Sequence, residues 1–96
     1  MVREPANGCV RYGDVILFGA FGYPAFTEVG YFITADNGVT VGTAQTEVTE
    51  ADGTIIIAID TDSYFGYTIG PGNYRFVVQD AARRYRPSYA NFRVLP

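Results

Sequence analysis

The sequence has no histidine, no lysine and no tryptophan, and only one cysteine and one methionine among 96 residues. Each absence removes a chemistry. Without histidine, the commonest general base and the commonest metal ligand are missing. Without lysine there is no Schiff-base nucleophile. The lone Cys9 cannot close a disulfide within the chain, so stability has to come from packing. No run approaches the roughly 18 apolar residues of a membrane-spanning helix, and Met1-Val2-Arg3-Glu4-Pro5 lacks the apolar region of a signal peptide. The expectation is no membrane insertion. The chain then reads either as a mature or excised piece of an exported protein or as one used without that export route, as virion proteins are.

What is present describes a folding chain. Hydrophobic residues make up 48%, aromatic residues 16% and charged residues 18%, far from the low hydrophobicity and high net charge of disordered segments. The length suits one domain spanning 1–96, long enough to bury a core without staples. All seven basic residues are Arg, yet the formal charge is −3. A net negative surface argues against binding nucleic acid through phosphate neutralisation.

Turn signals recur along the chain at Gly13-Asp14, Tyr23-Pro24, Asp36-Asn37-Gly38, Asp52-Gly53, Gly70-Pro71-Gly72-Asn73 and Arg86-Pro87. The runs between them are rich in Val, Ile, Thr, Tyr and Phe, and none sustains a 3.6-residue apolar period. Strands are therefore predicted near 14–21, 28–35, 38–43, 44–50, 54–61, 73–80 and 89–95. Alternation with period two assigns their faces. Inward rows are Ile16 and Phe18; Val29, Tyr31 and Ile33; Ile55, Ile57 and Ile59; Tyr74, Phe76 and Val78; Ala90, Phe92 and Val94. So many inward rows require two facing sheets, and the predicted fold class is an all-β antiparallel sandwich of about seven strands.

Three segments carry a resemblance. Gly70-Pro71-Gly72-Asn73-Tyr74-Arg75-Phe76-Val77-Val78 resembles the PGxYxhxV lead into the penultimate strand of bacterial and phage immunoglobulin-like and fibronectin-like modules. Gly13-Asp14-Val15-Ile16-Leu17 is similar to the start of their second strand, and Ala51-Asp52-Gly53-Thr54-Ile55 to the turn before their fifth. The resemblance implies an immunoglobulin-like sandwich in which Tyr74 sits at a sheet corner with its hydroxyl capping nearby backbone. It also implies that the second and fifth strands are neighbours. The buried Trp and paired Cys of antibody domains are absent, and the scaffold leaves function open.

No catalytic residues, metal ligands or cofactor are expected. Asp60-Thr61-Asp62-Ser63, together with Asp36, Glu47, Glu50 and Asp52, offer oxygen atoms for Ca²⁺, but without the spacing of a calcium loop; Asp turns bonded to their own backbone are the plainer reading. The outward residues say more. With Ile55, Ile57, Ile59, Ile16 and Phe18 inward, the residues Val15, Leu17, Ile56 and Ala58 face outward on neighbouring strands, and Phe32 and Val77 face outward on the other sheet; the opposite phase of the strand at 14–21 buries Val15 and Leu17 and exposes Ile16 and Phe18, so either phase leaves apolar side chains outside. Antiparallel sheets normally present polar residues to water, so this pattern points to a protein partner, and to self-association first. Arg83, Arg84, Tyr85, Arg86 and Tyr89, around the last loop, have the composition of a protein-binding tip. The expected role is a structural or interaction module on a microbial cell surface, filament or virion. The competing expectation is a glycan-binding module using Tyr23, Tyr64, Tyr67 and Tyr85, with sandwich-end plugging as the alternative use of those rings. The first dozen residues, including Val10 and Tyr12, suit a strand in their own sheet or one donated to a neighbour.

Overall fold

The structure is a computed structural model describing residues 2–3, 8–82 and 86–96, the first pair by backbone alone. Among the described residues eight strands run in chain order: β1 (Val2–Arg3), β2 (Cys9–Arg11), β3 (Val15–Ala20), β4 (Glu28–Ala35), β5 (Thr40–Val48), β6 (Ile55–Asp60), β7 (Gly72–Asp80) and β8 (Ser88–Leu95). No helix occurs among the described residues. One sheet has the order β1-β3-β6 and the other β2-β8-β7-β4-β5. Pairing is antiparallel except between β2 and β8, which run parallel. The N-terminal strands thus pair within their own chain, β1 on β3 and β2 on β8.

Every inward row except Tyr74 is buried in full; Tyr74 packs on the core from its margin. The sheets meet through Phe18 of β3, which stacks on Phe76 of β7 with ring centroids 4.1 Å apart and planes 5° from parallel. Phe92 of β8 meets the same Phe18 ring edge-on at 5.3 Å. The alternation is legible because the inward rows of these strands are mostly apolar, while each intervening residue faces outward.

The sequence reading needs one correction in mid-chain. Strands predicted at 38–43 and 44–50 are a single strand, β5, kinked rather than ended. Tyr31 pairs with Gln45 and Ile33 with Val41, so two residue steps on β4 span four on β5. Gly42, at φ 68°, takes up the excess as a bulge. A Cβ there would meet the Tyr67 ring at 3.0 Å, so the close approach of that ring also requires glycine.

Two threonines fix opposite ends of the β3–β6 pair. Thr49 Oγ1 accepts from the Thr27 N–H at 2.7 Å and donates to the Pro24 carbonyl at 2.9 Å. Thr61 Oγ1 accepts from the Gly13 N–H at 2.7 Å and donates to the Asp14 carbonyl at 3.0 Å. Both are buried, and each satisfies loop backbone that would otherwise lack a partner. Where β6 leads into β7, the Tyr74 hydroxyl donates to the Gly70 carbonyl at 2.7 Å, the backbone cap expected of this residue.

Candidate interaction surface

The outer face of β3 and β6 is built by strand register. Leu17 lies opposite Ala58, Gly19 opposite Ile56, and Val15 opposite Asp60. Because paired residues in an antiparallel ladder share a face, burying Ile16, Phe18, Ile57 and Ile59 forces Val15, Leu17, Ile56 and Ala58 together on the other side. Val15, Leu17 and Ile56 are 56%, 60% and 74% exposed. The four apolar residues therefore form one contiguous patch, with Asp60 at its edge.

The remaining expected partner residues do not join it. Arg83, Arg84 and Tyr85 lie outside the described residues. Arg86 is exposed beside the last loop. Tyr89 is exposed on the outer face of the five-stranded sheet, with the Arg75 guanidinium 4.3 Å over its ring. Arg75 also donates from Nε to Asn91 Oδ1 at 3.3 Å, so this outer face is polar where the other is apolar. Phe32 and Val77 share a row with Tyr89 but are only half-buried rather than open. They sit on β4 and β7, two of the three inner strands of that sheet, flanked by neighbours on both sides.

The tyrosines of the glycan expectation are separated. Ala20 pairs with Ile55 at one end of the β3–β6 ladder and Val15 with Asp60 at the other. Tyr23 follows the first end, and its carbonyl lies against Gly53. Tyr64 and Tyr67 follow the second end, joined by reciprocal backbone hydrogen bonds of 2.7 and 2.9 Å around Phe65-Gly66. Tyr23 is half-buried, its pKa raised by desolvation despite a hydrogen bond with Ser88. Tyr64 is buried, and burial pushes its phenol up to about 12. Tyr67 is exposed, and Tyr85 lies outside the described residues. Among the described residues these rings form no shared platform, and Tyr64 plugs an end of the core.

The acidic residues likewise settle into turns. Asp60 accepts from the Asp62 N–H at 3.2 Å, and Asp52 accepts from the Thr54 N–H and hydroxyl at 3.1 and 2.6 Å. Hydrogen bonds from Thr54 hold Asp52 below the usual carboxylate range, whereas the hydrogen bond and charge of Asp60 raise Asp62. Among the described residues no three His, Cys, Asp or Glu side chains gather around a metal-sized site. Cys9 is free and exposed, opposite Arg93 on β8.

A concavity of about 570 Å³ lies at one end of the five-stranded sheet between the β4–β5 turn and β8, with Asn73, Arg75, Asn91 and Arg93 along it. Its walls also hold the Asp36 carboxylate and the hydroxyls of Thr34 and Tyr74. No protein-family profile matches this chain, and no curated protein matches it in sequence.

Proposed function

We propose that this chain is a non-catalytic immunoglobulin-like β-sandwich module that assembles on a microbial surface filament or virion through an apolar sheet face. The strand order supports the fold assignment: β1-β3-β6 opposite β2-β8-β7-β4-β5 corresponds to A-B-E opposite A′-G-F-C-C′ in an immunoglobulin-like domain. The Tyr74–Gly70 hydrogen bond corresponds to the tyrosine corner at the start of strand F.

The observation carrying the functional reading is the contiguous exposure of Val15, Leu17, Ile56 and Ala58. Burying exposed apolar surface is favourable by about 25 cal/mol per Å², and such contiguous surface marks contact sites. In repeated copies, modest contacts of this kind sum to high avidity. The test is sedimentation velocity of the unmodified chain beside Leu17→Lys. Leu17 already faces water, so the variant is expected to keep the circular dichroism spectrum and melting temperature of the parent while losing its larger species. A variant that associates as the parent does would remove this face from the account.

A further inference from the structure

Four strands leave an edge unpaired among the described residues: β1 and β6 in one sheet, β2 and β5 in the other. Three of them are poor templates for another strand. β1 and β2 have two and three residues, and β5 is bulged at Gly42 and carries Glu47. Bulges, charges and shortness are the usual protections of a sheet edge. β6 has none of them: Ile55-Ile56-Ile57-Ala58-Ile59 is regular, uncharged and free of proline and glycine, with charge only at Asp60.

The direction of its free backbone groups follows from the ladder. Thr61 donates from its N–H to the Asp14 carbonyl at 3.2 Å, so the odd-numbered residues of β6 turn their backbone groups toward β3. The even-numbered residues turn theirs away, as the Thr54 carbonyl does in accepting from the Glu50 N–H at 2.8 Å. The N–H and C=O groups of Ile56 and Ala58 therefore point out of the open edge, with no partner among the described residues.

Resting on the assembly reading above, we infer that β6 pairs antiparallel with β6 of a second copy, about a two-fold axis through Ile57. The strand is self-complementary in that register. Ile56 falls opposite Ala58 of the second copy, as a pair that exchanges main-chain hydrogen bonds, and Ile55 falls opposite Ile59. Inward residues meet inward residues and outward meet outward, so both cores continue across the junction. Asp60 then lies opposite Thr54. Moving the axis to Ala58 would instead set the Asp60 carboxylate against Ile56, which disfavours that register. A two-fold contact of this kind is isologous and closed. It consumes the exposed edge of both copies and joins their two apolar faces into one larger surface.

The experiment is amide hydrogen exchange of the full chain across a concentration series, resolved at Ile56 and Ala58, alongside the mass of Ala58→Pro. The expected result is protection of both amides that grows at least tenfold as the associated species fills. Ala58→Pro, which removes an N–H that β3 does not use, is expected to stay folded and to lose the β6-paired species. If the chain associates while both amides exchange freely at every concentration, β6 pairing is overturned and the face contact stands. If the chain is a monomer at all concentrations, both readings fall. Because the exchange measurement uses the unmodified chain, unfolding of Ala58→Pro would leave it decisive.

Discussion

Tyr64 carries its hydroxyl into the core, where that oxygen has no hydrogen-bond partner among the described residues. An unsatisfied buried hydroxyl costs about 1–3 kcal/mol, so Tyr64→Phe is expected to leave stability unchanged or raise it by about 1 kcal/mol in urea unfolding. Burial and the nearby Tyr31 raise this phenol to about 12, above the value near 10 of an unfolded tyrosine. The stabilisation linked to the retained proton is complete below pH 10 and lost as pH rises through 12, because the unfolded chain sheds its proton first. An alkaline loss of roughly 2–3 kcal/mol is expected from this residue, and Tyr64→Phe should flatten that limb of the stability profile. Thr49 behaves in the opposite way. Thr49→Val keeps the shape but strands the Thr27 N–H and the Pro24 carbonyl, for an expected loss of about 1–3 kcal/mol. Phe65 holds φ 49° at an exposed turn. Phe65→Gly relieves that conformation and is expected to raise the melting midpoint in a thermal unfolding scan.

At the scale of elements, the core strands were legible because period-two alternation records burial directly. Ile16 and Phe18; Val29, Tyr31 and Ile33; Ile55, Ile57 and Ile59; and Ala90, Phe92 and Val94 occupy the interior as that pattern demands. Phe18→Ala tests the junction of the two sheets: it removes the ring stacked on Phe76 and is expected to cost about 3–5 kcal/mol. β5 was misread because its residues alternate weakly and Gly42 resembles a stop. Only its pairing with β4 tells a bulge from a turn. β1 and β2 were left open because strands of two or three residues are defined by their partners and carry no period of their own. The roles of Thr49 and Thr61 were equally hidden. Each bonds backbone far away in sequence, and no local pattern encodes that.

At the scale of the molecule, its outer faces differ in kind. The β2-β8-β7 face presents Arg11, Arg75, Asn91 and Arg93, while the β3-β6 face presents Val15, Leu17, Ile56 and Ala58. The sequence allows either phase for Val15 to Phe18, and it is the burial of Ile16 and Phe18 and the pairing of β3 with β6 that set Val15 and Leu17 beside Ile56 and Ala58. The separation of the tyrosines was not legible in the sequence, since opposite ends of a sheet look adjacent until strand direction is known. The apolar outer face of β3 and β6 is the basis of the proposed self-association. Light scattering of the unmodified chain over a wide concentration range tests this most directly. The account predicts a mass that climbs above that of one chain as concentration rises, and a constant single-chain mass at the highest concentration would contradict it.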